Sequence, residues 1–450
     1  MKKEISVKAT ASRLVLCSVV ALSLTFAFAQ PKPGTAPPSS VQPQPSQPPQ
    51  ELQVTEYSLP PEKLAKAEAL YKTRTVLYLF GMLFGIAVLW VLLKLRVAPA
   101  FRDLAERVST NSVVQALVFV PLLTLLIALI TLPLDIYEHR ISRAYGLSVQ
   151  GWGSWAGDWC KAEALSLVIM VLAVAALFWI IRKSPLRWWF YFWLLTQPFV
   201  VLLIFVAPVI LDPMFNKFEP LDKTQPQLVS AIEKVTQRGR LNIPRDRMFE
   251  MEASEKVTTY NAYVTGIGAT KRVVVWDNTS RDMTVPETLF VFGHEMGHYV
   301  LNHIYKGLAF FSAMTFLGFW LGRKIVLAML ARWGDAWHVR GVNDLAALPV
   351  LMLALSLLTL VGEPIGNAFS RYQEHQADVY GLEVTHGLFP HNGEVAASAF
   401  QKLGEKSYDY PTPNRLLVFW SYSHPSTPER IRFSLQYDPW DAPAGPKYVK

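Results

Sequence analysis

Apolar and polar positions divide the chain into six long apolar runs with a polar stretch before the fifth and another after the sixth. Residues 75–93, 112–134, 162–181, 188–211, 308–330 and 345–361 are each almost continuously apolar. A helix needs roughly 17–25 such residues to cross a hydrocarbon core, so each run predicts a membrane span. Pro121, Pro198, Pro208 and Pro349 fall inside these runs, which neighbouring helices tolerate by satisfying the carbonyls that proline frees. Between the fourth and fifth runs, residues 212–305 change period. Residues 227–240 read as an amphipathic helix, and the β-branched run 272–277 reads as a strand. Residues 260–265 are its candidate partner across a turn at 266–270. A further helix starts at Thr284, which forms a capping box with Glu287, while Pro286 suits the first turn. Residues 51–72 read as a helix leading into the first span. Past the last run, 369–383 reads as a helix, and 421–437 closes the ordered chain.

The N-terminus adds a different pattern. Lys2, Lys3, Lys8 and Arg13 precede an apolar run over 14–28 that ends on Ala27-Phe28-Ala29. These are the three parts of a secretory signal peptide; an uncleaved first anchor is the alternative. Residues 31–50 are rich in Pro, Gln and Ser and read as a linker.

Composition agrees with a membrane protein. Hydrophobic residues make up 51% of the 450 and charged residues 17%, too apolar for an ordinary soluble chain. The net charge of +8 raises nucleic acid as a partner, but no basic tract with interleaved aromatics is present, so none is expected. The excess instead follows the spans. Lys94, Arg96, Arg102 and Arg107 follow the first span, Arg182, Lys183 and Arg187 link the third and fourth, and Arg323, Lys324, Arg332 and Arg340 are assigned between the fifth and sixth. Short basic loops stay cytoplasmic, so the segment over 212–305 is expected outside, in a multi-pass protein of a bacterial cell (inner) membrane. Two cysteines, Cys17 and Cys160, leave no cysteine framework for a disulfide or a metal site.

Within the helix begun at Thr284 stands His294-Glu295-Met296-Gly297-His298. The two histidines are i, i+4 and share one helix face, where both reach one zinc ion. Glu295 is then placed to take a proton from zinc-bound water. A third ligand is required. His303 lies nine residues after His294, and the metzincin spacing fails at Leu301 and Ile304. His303 therefore reads as an interfacial histidine at the start of the fifth span. Glu374 and Asp378 are i, i+4 on the helix past the last span. One of them can ligate zinc while the other supports a ligand histidine.

Taken together, these motifs resemble the type I CAAX prenyl protease family of integral-membrane zinc metalloproteases. The likeness extends to Leu132-Pro133-Leu134-Asp135-Ile136-Tyr137 with Tyr145-Gly146-Leu147-Ser148, to Asn261-Ala262-Tyr263, and to His424-Pro425 with Glu429-Arg430. The resemblance implies a mainly α fold: a multi-pass membrane helix bundle around a chamber, with a zincin-like α+β metalloprotease domain at one membrane face. It implies one Zn2+ held by His294, His298 and Glu374, with Glu295 as general base and Asp378 supporting a ligand. It also implies His424 and Arg430 as oxyanion stabilisers, and Asn261, Ala262 and Tyr263 on a strand that binds substrate backbone. The partners expected are a peptide or protein substrate, with or without a lipid group, and membrane lipid. Eukaryotic relatives work towards the cytosol, which sets the basic-loop topology against a prenylated CAAX substrate.

The resulting division is 1–29 signal peptide or anchor, 30–54 linker, 55–211 membrane region with four spans, 212–306 metalloprotease segment, 307–366 two further spans, and 367–450 metalloprotease segment with the third ligand. A quality-control zinc protease for membrane proteins is the nearest alternative. A transporter or a non-catalytic membrane scaffold is the alternative of another class. The transporter is disfavoured by the absence of an internal sequence repeat, and the scaffold by the presence of Glu295.

Overall fold

A computed structural model describes residues 54–241, 243–266, 270–441 and 443–449. The signal-peptide reading falls outside these residues. Each of the six apolar runs lies in a helix long and apolar enough to cross a membrane. Helix α1 is Pro61–Lys94, α2 Val97–Val108, α3 Ser112–Ala144, α4 Trp152–Lys183 and α5 Trp188–Val206. Local chemistry sets several ends. Pro61 occupies the first turn of α1 with Glu62 beside it, and Lys94 closes the last turn, matching the helix dipole at both ends. The Asn111 side chain caps α3 by accepting from Val113 N at 2.8 Å. Beyond α5 the chain passes through a π turn at Ala207–Leu211 that contains Pro208. The helix expected over 51–72 begins at Pro61 and runs without a break into the span, so the two form the single helix α1.

The polar stretch before the fifth span forms a small sheet and two main helices. Strand β1 is Phe218–Pro220, helix α6 Pro226–Arg238, β2 Met248–Met251, β3 Ala262–Thr265 and β4 Arg272–Trp276. The sheet order is β1-β2-β4-β3, with β2 and β4 parallel and the outer pairs antiparallel. The expected pairing across 266–270 is present, with Ala262 opposite Val275 and Thr265 opposite Arg272. All five β4 side chains are buried, as its apolar run requires. Helix α7, Val285–Val300, begins on the capping box of Thr284 and Glu287.

Helices α8, His303–Trp337, and α9, Leu348–Thr385, supply the last two spans. Two expectations change here. Arg323, Lys324 and Arg332 lie on α8 rather than in a loop, since the helix runs on to Trp337. The separate helix expected at 369–383 is the upper part of α9, which continues through Pro364 for 38 residues. At about 1.5 Å per residue, a helix of that length spans nearly 60 Å. Its lower half packs among the other spans with Leu123, Leu177 and Ile181, while Tyr380, Leu382 and Val384 enter a second core with Val273, Val275, Phe290 and Met296. That second core also takes Phe400 of α10, Asn392–Ser407, and Ile431 of α12, Thr427–Gln436, so the segments on either side of the last two spans form one unit. Helix α11, Arg415–Ser421, lies between them.

Order extends past residue 437. The buried Glu383 carboxylate accepts from the Tyr437 hydroxyl and from the backbone N–H groups of Lys447, Tyr448 and Val449, which pins the C-terminal segment to α9. Around the spans, Leu83, Leu117, Leu129, Leu172, Trp179 and Leu202 are exposed on the bundle surface. Such a surface is stable only against lipid.

Candidate metal centre

The site forms where α7 crosses α9, and glycine allows the close approach. A Cβ on Gly297 would lie 3.0 Å from Tyr380 Cβ, and one on Gly381 would lie 3.0 Å from the backbone nitrogen of His294. With no side chain at either position, the helix carrying both histidines settles directly on the helix carrying Glu374 and Asp378.

The crossing brings together ligand-type atoms of three residues. His294 Nε2 and His298 Nε2 are 3.3 Å apart. Glu374 Oε2 lies 3.2 Å from His294 Nε2, and Glu374 Oε1 lies 3.5 Å from His298 Nε2. Metal–nitrogen and metal–oxygen bonds of about 2.0–2.2 Å in a tetrahedral site put neighbouring ligand atoms about 3.3–3.6 Å apart. The observed separations of 3.2–3.5 Å lie close to that edge length, with each histidine nearest a different oxygen of Glu374. Glu374 Oε2 is buried and has no hydrogen-bond partner, although two imidazole nitrogens stand near it. A carboxylate oxygen left in that state suits a cation better than a hydrogen bond. The donor set of two imidazoles and one carboxylate fits zinc and leaves a coordination position open.

A further ring of contacts fixes these groups. His294 Nδ1 donates to Asp378 Oδ1 at 2.8 Å, and the Arg430 fork donates to the two oxygens of Asp378 at 3.0 and 2.5 Å. Arg430 lies over the Phe400 ring at 4.1 Å. Burial disfavours charge on His294, but the neighbouring carboxylates of Asp378 and Glu374 outweigh that effect and raise its pKa to about 9. The pocket therefore favours positive charge, whether brought by a proton or by a metal ion.

His294, His298, Glu374, Asp378, His424 and Arg430 converge on one point. His424 Nε2 is 3.3 Å from Glu374 Oε2, and its Nδ1 is 2.8 Å from Ser423 Oγ. Arg430 faces Asp378 with two of its donors, so its fork supports the His294 side of the site. Glu295 is half-buried beside His294, close enough to Arg430 to stabilise that charge. Asn261, Ala262 and Tyr263 lie on or next to β3, the outer strand of the sheet, which packs on α7. The backbone of Asn261 is committed: its N–H donates to Thr279 Oγ1 at 2.8 Å, and its carbonyl accepts from Trp276 N at 3.0 Å.

One residue is reassigned. His303 is buried rather than interfacial, with Nδ1 3.0 Å from His298 Nδ1. Asn302, in the left-handed conformation at φ 59°, separates α7 from α8 and folds His303 back onto the site. An Asn just past a helix end is a recognised marker of such a turn, and it is the signal in the sequence that points to this geometry.

Comparison with known proteins gives the family. Residues 41–217 match the family described as CAAX prenyl protease N-terminal, five membrane helices, and residues 222–437 match peptidase family M48. The chain is 38% identical to the uncharacterized metalloprotease YhfN of Bacillus subtilis (strain 168), over 82% of this chain and 85% of that protein. It is 26% identical to CAAX prenyl protease 1 of Saccharomyces cerevisiae, over 82% and 85%. The crystal structure of S. mikatae Ste24p superposes with a TM-score of 0.73, covering 96% of this chain and 98% of that one. At 22% identity the superposition speaks for the fold alone, and it agrees with the expected mainly α membrane bundle carrying a metalloprotease unit. The convergent His-His-Glu cluster, the six spans and these relatives lead to one conclusion: the chain is a multi-pass membrane metallopeptidase and belongs to peptidase family M48.

Proposed function

We propose that this protein is a zinc endopeptidase acting on extended peptide segments beside the membrane, with its site on the extracytoplasmic face of a bacterial cell membrane. The observation that carries the proposal is the tetrahedral-edge spacing of His294 Nε2, His298 Nε2 and Glu374. These three side chains would hold one Zn2+ ion, which when bound supplies Lewis acidity for polarising a carbonyl and lowering the pKa of water.

The remaining work falls to the chain. Glu295 follows His294 in the same helical turn and acts as general base, taking a proton from the attacking water and returning it to the leaving amine. Asp378, fixed by Arg430, holds the His294 ring in the tautomer whose Nε2 lone pair faces the site. His424 stands beside Glu374 at the same pocket, where its Nε2–H is available to the oxyanion that develops on the scissile carbonyl. Strand β3 pairs with β4 on one side only among the described residues, so its outer edge can add a substrate strand. Substrate backbone would thereby lie against the helix that carries Glu295.

The yeast relative's printed name describes a CAAX prenyl protease. For this chain we propose a substrate class defined by position rather than prenylation: peptides exposed at the outer membrane surface, with or without a lipid group. The protease segments 212–306 and 367–450 act as one unit, supported by their common core.

The test is Glu295→Gln in purified full-length protein. Metal content should stay at one ion per chain, since the three ligands remain, while hydrolysis of an unstructured peptide should fall by at least about 100-fold, the scale of general acid–base catalysis. Cleavage at the unmodified rate would rule the mechanism out.

A further inference from the structure

His294 is oriented by a carboxylate, whereas the outer nitrogen of His298 faces another imidazole. Its Nε2 faces the pocket, 3.3 Å from His294 Nε2 and 3.5 Å from Glu374 Oε1. Its Nδ1 points the other way, to His303 Nδ1 at 3.0 Å. His303 Nε2 lies 3.2 Å from Gln376 Oε1, and Gln376 Nε2 donates to the Tyr372 hydroxyl at 3.2 Å. Gln373 Nε2 also donates to the His303 carbonyl at 3.2 Å, which fixes the first residue of α8 against α9.

We propose that His303 is a positioning residue for the metal centre, holding His298 in its ligating tautomer through the chain His298–His303–Gln376–Tyr372. The inference rests on the assignment of His294, His298 and Glu374 as ligands. Its direction follows from proton accounting. To offer a lone pair at Nε2, a neutral His298 must carry its proton on Nδ1. That proton points at His303 Nδ1, which must accept it. His303 is then protonated at Nε2, where the Gln376 carbonyl oxygen stands as acceptor. The Gln376 amide, its oxygen so used, has its N–H directed to Tyr372. Every link has one donor and one acceptor, and reversing any link would place a proton on His298 Nε2, inside the pocket.

Geometry also excludes His303 as a fourth ligand. Its Nδ1 contacts the far nitrogen of His298, on the side of that ring away from His294 and Glu374. The turn at Asn302 brings His303 there, and Tyr372, Gln373 and Gln376 lie within about one turn of α9. The two ligand histidines are thus held differently, one by an anion and one by a neutral imidazole, so orientation at His298 adds no negative charge to the site.

The test is zinc affinity of the purified full-length protein, measured by competition with a chelator in zinc-buffered detergent solution, with thermal melting of the metal-free protein recorded in parallel. His303→Leu removes the acceptor, His303→Asn places a carbonyl oxygen near the position of Nδ1, and Gln376→Met removes the acceptor that fixes the proton on His303. Loss of such an orienting partner weakens metal binding about 10–100-fold. His303→Leu is expected in that range, Gln376→Met at a several-fold loss, and His303→Asn within a few-fold of the unmodified protein, all still binding one zinc at saturation. Equal affinity for the Leu variant and the unmodified protein would overturn the proposal, as would equal weakness of the Leu and Asn variants. If the Leu variant fails to fold, the Asn and Met pair decides, and a Met variant of unchanged affinity overturns it. Glu374→Ala separates this from the underlying assignment, because zinc retained at unmodified affinity there would refute the ligand set itself.

Discussion

At the scale of single residues, Asp378 joins the two rings of the site. It is 1% exposed, accepts from His294 Nδ1 and receives the Arg430 fork on both oxygens. Asp378→Asn keeps the volume and one acceptor but removes the charge. The Arg430 guanidinium then lies largely buried without its counter-ion, and breaking one partner of a buried pair costs about 3–5 kcal/mol. The expected outcome is a metal-free protein that unfolds at lower denaturant, together with zinc affinity reduced about 10–100-fold. Denaturant unfolding in chelator and zinc titration check the two parts separately, and unchanged values in both would remove Asp378 from the support of His294. The shared face of His294 and His298 was legible because i, i+4 spacing on a capped helix fixes it before any tertiary structure is known. His303 was not, because its role depends on a backbone reversal at Asn302 that helical periodicity does not reveal.

At the scale of elements, the crossing of α7 and α9 governs the metal geometry, and its glycines set the separation. An alanine Cβ at 381 would stand 3.0 Å from His294 N and 3.2 Å from His294 Cα, both backbone atoms that cannot rotate away. The helices must part by a few tenths of an ångström, a strain of about 1–3 kcal/mol for overpacking. Intrinsic helix propensity pulls the other way, favouring alanine by about 1 kcal/mol. Gly381→Ala is therefore expected to lower zinc affinity and peptidase activity together, because the backbone that moves is that of His294, a proposed ligand. Gly318→Ala on α8 has nothing within 4 Å of its Cβ and should change neither. An affinity for Gly381→Ala equal to that of Gly318→Ala would show that the crossing has slack. The sequence displayed α9 as two pieces, because Glu363 and Pro364 interrupt the apolar pattern. A proline inside a helix frees one carbonyl and does not end the helix when the flanking turns are held by packing, as they are from Leu348 to Thr385. The hairpin of β3 and β4 was legible because a β-branched run, a turn and an alternating partner leave few other arrangements.

For the whole molecule, contacts at the two ends of the bundle bear on which membrane face carries the site. Residues just before α1 dock into the protease unit: the Tyr57 hydroxyl donates to the Asp409 carbonyl at 2.9 Å, and Gln401 Nε2 donates to the Ser58 carbonyl at 2.6 Å. The start of the described chain and the metal centre therefore share a face, independently of how the spans between them are counted. At the opposite end the basic segments meet one another. Arg102 of α2 donates to Asp344 in the loop before α9 at 2.6 Å, and Arg96, between α1 and α2, donates to the Ala336 carbonyl at the end of α8 at 3.1 Å. Arg182, Lys183 and Arg187 lie at the far end of α4 from Val149, whose N–H donates to Lys256 of the protease unit at 2.9 Å. Short loops rich in Lys and Arg resist translocation, so this end is expected in the cytoplasm and the metal centre outside. With Cys17 and Cys160 replaced by serine, single cysteines at two exposed positions provide the test. Asp246→Cys on the protease unit should react with a membrane-impermeant thiol reagent in intact cells, and Asn343→Cys in the loop before α9 should react only after the membrane is opened. Labelling of Asn343→Cys alone in intact cells would reverse the orientation and return the site to the cytoplasmic face, where a prenylated chain end becomes a candidate substrate.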